Sequence, residues 1–361
     1  MTTTSILLTG ISGYVGGTIL TSLASGEYAW AKDLNLSALV RNEDQAAVVR
    51  ASGFKPVLLS SYDDTEAWTT TARDFDIIIH AAAGWNLQAS KAIIEGLGQR
   101  RRETQRTVHF FGISGVTNIA DRPLTVGRIE TNTLFDEDDI YSYMKTRQFE
   151  EEYMPRAADI AVVEGGLEYD VETHIVMAPH IFGVGTGSFN RFTFPVNMMM
   201  KGAKSLGKGF VIGEGTAVWS RIHVEDLAEL YIVLLKAVLD GKSIPSGKKG
   251  VYFAESGSAP HLEMSTKIAK AGKELGLLPS AEVEHVDLET GAKLFGGWGP
   301  SMAEAGGASN ARIKAVLARS LGWAPKREAE WETTIKKELE EFERKPPPPR
   351  DFGKLSAVTD K

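Results

Sequence analysis

The densest chemical signal lies near the start of the chain, where Thr9-Gly10-Ile-Ser12-Gly13-Tyr14-Val15-Gly16 sets three glycines three residues apart. The run follows the apolar segment Ser5–Leu8 and precedes an amphipathic stretch, so it reads as a turn from strand into helix. In that setting Gly10 permits a tight turn, Gly13 lets the backbone approach a pyrophosphate, and Gly16 allows close helix packing. The free N–H groups from Ser12 to Gly16 would face the anion at the positive end of the helix dipole. In a chain with 36 glycines the spacing alone carries little weight. Its place between the first strand and the first helix favours a dinucleotide site over a plain turn.

The second apolar segment ends Leu39-Val40-Arg41-Asn42. A site selective for NAD usually places an acid here, on the ribose 2′-hydroxyl. Arg41 instead suits a 2′-phosphate and can lie over the adenine, which favours NADP(H) over NAD(H); the alternative is a surface arginine without selectivity.

These residues need a frame to hold them. Short β-rich runs at 5–8, 34–40, 56–59, 76–80 and 107–111 alternate with helical patterns. That alternation implies right-handed crossovers into a doubly wound parallel α/β sheet. A helix from about Ile140 to Arg156, a strand around His174–Met177 and an α/β pair near His223–Phe253 continue it. The expected organisation is a nucleotide-binding domain over 1–182 that also receives 220–256. A smaller interleaved substrate lobe takes 183–219 and 257–345, including a charged helix over Trp331–Lys345. Residues 346–361 form a proline-rich polar tail, read as solvated rather than as a docking motif.

Composition narrows the function classes. At roughly 150 residues per domain, 361 residues give about two structural units. The absence of cysteine excludes disulfides, thiolate zinc sites and cysteine nucleophiles, and no metal-ligand spacing is evident. A net charge of -7 argues against a nucleic-acid partner. No stretch approaches the roughly 20 apolar residues of a membrane span, and the N-terminus lacks the basic flank of a secretory signal. The expectation is a cytoplasmic protein with no membrane or nucleic-acid partner; a homodimer is allowed.

The chain also resembles the extended short-chain dehydrogenase/reductase family, especially its atypical epimerase-like branch. The resemblance rests on the glycine loop, the strand end His80-Ala81-Ala82-Ala83, Ser114 after the fifth strand and Tyr141-Ser-Tyr-Met-Lys145. It extends through Ala178-Pro179-His-Ile181-Phe-Gly183, Ile222-His-Val-Glu-Asp226 and the closing Leu321-Gly-Trp-Ala-Pro325. It implies a Rossmann-type sheet and a proton-transfer site. In that site Tyr141 exchanges a proton with a carbonyl or alcohol oxygen, Lys145 stabilises its phenolate and holds the nicotinamide ribose, and Ser114 orients the substrate, with Thr117 competing for that last place. Tyr28 and Lys32 share the Tyr/Lys spacing but fall near the wrong end of the sheet. By the same resemblance Ala81, Ala82 and Ala83 pass near the cofactor, and Pro179 and Ile181 lie near the nicotinamide. Ser61 and Tyr62 meet the adenine edge, with Asp63 an alternative to Ser61.

Two further features bear on substrate. Where nucleotide-sugar enzymes of the family carry a diphosphate-gripping arginine, this chain has Trp219, although Arg221 could shift into the role. An indole covers apolar surface and cannot neutralise a diphosphate. Trp85 and Phe189 could wall the same space, and core packing explains them equally. The leading expectation is an NADP-dependent oxidoreductase acting on an aldehyde, ketone or alcohol. The alternatives are a nucleotide-sugar epimerase or dehydratase and a non-catalytic NAD(P) redox sensor.

Overall fold

The computed structural model describes residues 4–59, 61–296 and 299–346. Seven strands form one parallel sheet: β1 (Ser5–Thr9), β2 (Asn35–Val40), β3 (Lys55–Leu58), β4 (Ile77–His80), β5 (His109–Gly115), β6 (Glu172–Ala178) and β7 (Val251–Phe253). Their order across the sheet is β7-β6-β5-β4-β1-β2-β3. Every adjacent pair is parallel. The continuous apolar run Ile77-Ile-Ile79 is buried on both faces, as helices covering both sides of a parallel sheet require. Chain direction across the sheet reverses between β1 and β4, which opens a crevice outside the carboxyl ends of those two strands. The expected doubly wound architecture is the one observed.

Helix α1 (Tyr14–Ala24) follows β1. Between β5 and β6 the expected single helix over 140–156 is two: α2 (Ile140–Glu150) and α3 (Met154–Tyr169). Pro155, in the first turn of α3, is the physical reason. It has no N–H to return to residue 151 and cannot sit inside a continuous helix. The freed Glu151 carbonyl accepts instead from Arg156 Nη1 at 2.8 Å. Because α3 leads into β6, it starts at the carboxyl edge of the sheet and descends toward the amino edge.

A second apolar core lies apart from the sheet, built from Phe182, Val196, Met200, Phe210, Ile268, Trp331 and their neighbours. Strands 180–182, 218–223 and 257–260 form a three-stranded sheet, and 209–212 pairs with 283–286. Residues 311–323, assigned above to this lobe, differ: Ala311, Ile313, Ala315, Ala318 and Trp323 pack into the larger core. Residues 347–361, most of the expected tail, lie outside the described residues.

Candidate active site

The glycine loop is shaped by backbone demands first. Gly10 has φ +79°, and a Cβ there would overlap the Ala81 carbonyl at the end of the neighbouring strand; one at Gly16 would overlap the Gly10 carbonyl. Gly13 caps α1 with no side-chain hydrogen bond, leaving the first-turn N–H groups of Tyr14, Val15 and Gly16 without a side-chain acceptor. That uncapped helix end stands over the reversal point of the sheet, so the residues present fit an anionic pyrophosphate. Segment 183–190 runs alongside: Tyr14 Oη donates to the Gly183 carbonyl, and Asn190 N donates to Ser12 O at 3.3 Å. Buried Glu338, on helix α5 (Trp331–Arg344), accepts from Gly183 N at 2.6 Å. Burial pushes its carboxyl up to about 8, so near neutral pH it adds no full negative charge beside the loop.

The other expected cofactor contacts surround this loop. Arg41 is exposed at the end of β2. Tyr62, whose ring packs 5.3 Å from Trp68, lies within the field of the Arg41 guanidinium. Ser61 Oγ accepts from Asp63 N at 3.1 Å, so the two candidates for the adenine edge belong to one turn. Ala81 and Ala82 abut Gly10, and Ala83 takes a left-handed φ of +39° as the chain leaves the sheet. Pro179 is buried directly after β6, and Ile181 follows in the strand 180–182.

The expected catalytic trio is not brought together. Tyr141 opens α2, and its hydroxyl donates to Glu164 Oε1 at 3.0 Å, ten residues down α3 from its start. Lys145 Nζ donates to the same oxygen at 2.7 Å. The Lys248 ammonium, from the turn that precedes β7, lies 5.4 Å from the Tyr141 ring centroid. These neighbours put the pair toward the amino edge of the sheet, away from the glycine loop. Burial raises the Tyr141 phenol, and the Glu164 hydrogen bond adds to it, while Lys145 opposes the rise. Both residues are engaged by Glu164 rather than set beside the glycine loop.

Ser114 is engaged within the fold. Its hydroxyl donates to Asp159 Oδ2 at 2.5 Å, and Asn118 Nδ2 donates to the same oxygen at 2.6 Å. The serine thus faces the flank of α3. Burial pushes Asp159 up to about 7, with both hydrogen bonds pulling the other way.

A different phenol occupies the carboxyl edge. Tyr153 caps α3 and is buried, with Thr117, three residues past Ser114, close enough to its hydroxyl to act on it electrostatically. The same hydroxyl lies 3.5 Å from Met302 Sδ on helix α4 (Pro300–Gly307). Arg122 and Arg156 place their guanidinium carbons 5.3 and 5.4 Å from the ring centroid. Burial raises this phenol above its usual value; Thr117 and the two guanidiniums oppose the rise, and Glu151 adds to it. The signal for Tyr153 was present in the sequence: Pro155 marks a new helix start, and a tyrosine two residues earlier stands at its cap. One turn further on, the helix carries Ala157 where the resemblance would place lysine.

Around this phenol the substrate candidates divide. Trp219 is buried, its Nε1 donates to Ser309 Oγ at 3.2 Å, and it holds the seam between the cores. Arg221 donates to Glu328 and to the Ser258 carbonyl, so neither residue offers a free cation. Trp85 is 38% exposed beyond β4, and Phe189 packs against the larger core. A small cavity in the lobe is lined by His180, Met199, Phe210, Met264, Phe295, Gly306 and others. Gly306 is one helical turn from Met302, so α4 links the cavity wall to Tyr153. Burial drives His180 down to about 3, leaving a neutral imidazole. Among the described residues no cluster of three or more His, Asp or Glu is placed to hold a metal ion, and no helix is long and apolar enough to cross a membrane.

No protein-family model matches the chain. It is 25% identical over 341 residues to Oxidase ucsJ of an Acremonium species, covering 90% of this chain and 93% of that one. An uncharacterized Schizosaccharomyces pombe protein is 23% identical over 239 residues, covering 64% and 70%. Among solved structures, the dTDP-glucose 4,6-dehydratase DesIV of Streptomyces venezuelae, with NAD and TYD bound, superposes with a TM-score of 0.62 at 15% identity over 94% of this chain and 98% of that one. Vestitone reductase from alfalfa gives 0.57 at 14% identity over 94% and 98%. Shared across nearly the whole of each chain, this architecture, a Rossmann-type parallel sheet with a smaller lobe, is the fold of those enzymes.

Proposed function

We propose that the protein is a nicotinamide-dependent oxidoreductase that reduces an aldehyde or ketone, or oxidises the corresponding alcohol, with NADP(H) favoured through Arg41. The observation that carries this reading is the Tyr153 phenol, buried at the start of α3 on the carboxyl edge of the sheet, the edge on which the uncapped α1 also opens, with Thr117 beside it. The residues from Ser12 to Gly16 would hold the pyrophosphate. When bound, the nicotinamide supplies or accepts the hydride. In the reducing direction Tyr153 gives its proton to the carbonyl oxygen as charge develops there, and Thr117 orients that oxygen; in the other direction the phenolate takes the proton back. Met302, against the Tyr153 hydroxyl, helps to keep water from the reacting oxygen.

Trp219 and Arg221 are both engaged within the fold and leave no free cation there to grip a diphosphate, which favours an uncharged carbonyl substrate over a nucleotide sugar. Ala157, in place of a cation one turn after Tyr153, favours a second reading: nucleotide binding without turnover. Fluorescence titration with NADPH and NADH, followed by cofactor oxidation against a panel of aromatic and aliphatic carbonyls, separates them. Turnover abolished by Tyr153→Phe supports the oxidoreductase. Tight binding with no turnover on any carbonyl supports the sensor, and no binding rejects both.

A further inference from the structure

Three buried guanidiniums crowd the start of α3. Arg122, Arg147 and Arg156 are each almost wholly inaccessible to solvent. All three approach the single carboxylate of Glu151: Arg122 Nε at 3.0 Å, Arg147 Nη2 at 3.4 Å and Arg156 Nη2 at 3.9 Å. Glu130 reaches only Arg147, at 3.8 Å, and is shared with Arg128. Carbonyls hold the rest: Ala120 and Asp121 accept from Arg122, and Asn118 accepts from Arg156 at 2.7 Å. Yet Nη2 of Arg122 and Nη2 of Arg156 remain buried without a hydrogen-bond partner. Buried N–H groups and buried charge without full compensation are costly, so such an arrangement calls for a function. The group both guanidiniums share is the Tyr153 ring, flanked at 5.3 and 5.4 Å.

We infer that Arg122 and Arg156 are positioning residues that stabilise the ionised form of Tyr153, doing with two guanidiniums what the missing ammonium at position 157 does not. The inference rests on the oxidoreductase reading for its purpose, but its physics concerns the free protein. The other charged groups near the phenol are accounted for. Glu151 opposes the two arginines, and Arg147 acts on the phenol through Glu151. Asp159, further along α3, is engaged by Ser114 and Asn118, and Glu304 of α4 accepts from the backbone of Leu124 and Thr125. Met302 is the uncharged contact. A guanidinium gives up its proton less readily than an ammonium, although burial, with Arg147 nearby, pulls Arg156 down to about 10.

The test is a tyrosine-ring carbon NMR titration of the full chain, with the Tyr153 resonance assigned by its loss in Tyr153→Phe, run beside the pH profile of kcat/KM. Arg156→Met is expected to raise the apparent pKa by about one unit or more, a tenfold change in phenolate population. Arg156→Lys should restore most of it. Glu151→Gln, which keeps the size and polarity of the side chain at a partly exposed position, should move it the opposite way by about half a unit. NADPH affinity should stay within about twofold of the parent in every variant. Unmoved titration in both Arg156→Met and Glu151→Gln overturns the inference, as does a Glu151→Gln shift upward. Should Arg156→Met fail to fold, Glu151→Gln alone decides. If the titrations shift as expected while Tyr153→Phe keeps full turnover, the oxidoreductase reading fails and the electrostatic assignment stands.

Discussion

Thr117, just past the end of β5, stands beside the Tyr153 phenol at the start of α3. No such partner reaches Tyr141, which lies on the preceding helix with its hydroxyl on Glu164. A phenol that transfers a proton in the rate-determining step contributes roughly 10²- to 10⁴-fold. Tyr153→Phe is therefore expected to lower kcat for carbonyl reduction by that factor with little change in melting temperature. Tyr141→Phe, which removes one partly exposed hydrogen bond, should leave kcat within about threefold. Steady-state kinetics on the two variants side by side checks this; equal losses would put the proton transfer back on α2.

Asp159 makes stability depend on pH. Unfolded, the carboxyl ionises near 4; in the fold, burial holds its proton up to about 7. Between those values the native state carries a proton that the unfolded chain lacks, so stability falls as pH rises through this window and the full penalty persists above it. Asp159→Asn keeps an acceptor for Ser114 and Asn118 and removes the charge. It should melt several degrees above the parent at pH 8, with the gap closing toward pH 4. Melting curves across that range check the sign, and a gap independent of pH would show that the carboxyl is not the cause.

The proposed preference for NADPH turns on Arg41. Its side chain is exposed at the end of β2, its own N–H is fixed by Gln45 Oε1 at 2.9 Å, and the adjacent Asn42 caps the next helix. The residue is anchored by its backbone and free at its tip, the arrangement a 2′-phosphate needs. NADPH is expected to bind at least tenfold tighter than NADH, and Arg41→Ala should remove most of the difference by weakening NADPH alone. Equal affinities in the parent would show that the arginine selects nothing.

Local signals carried the sheet and the nucleotide loop into view: apolar runs such as Ile77-Ile-Ile79 and glycines forced by backbone overlap at Gly10 and Gly16 speak through neighbours in sequence. The proposed pair, Thr117 and Tyr153, did not show itself that way. Tyr141 and Lys145 have the right types at the right spacing, and what displaces them is a helix break at Pro155 that turns α2 and α3 into a hairpin and reverses which end of α2 faces the site. Thr117 and Tyr153 are 36 residues apart. Only the turn between the helices brings them together, and the guanidiniums that flank the phenol come from two different segments. Trp219 illustrates the same limit, since its partner Ser309 lies 90 residues away.

Glu338 ties the far end of the chain to the glycine loop and sets a last expectation. Its carboxyl is buried and accepts from Gly183 N, whose own carbonyl accepts from Tyr14 at the start of α1. Its other oxygen, Oε2, has no hydrogen-bond partner. Burial lifts the acid to about 8, so it is mostly neutral at pH 7 and ionises as pH rises past 8. A negative charge created there lies in the same poorly screened environment as the bound diphosphate and repels it. The affinity for NADPH should thus fall by about tenfold between pH 7 and pH 9.5, beyond what salt or the cofactor's own titration explains. Glu338→Gln keeps the acceptor for Gly183 N and cannot ionise, so its affinity should stay flat over the same range. Binding titrations at matched ionic strength decide the matter, because a parallel decline in parent and variant would remove Glu338 from any account of cofactor affinity.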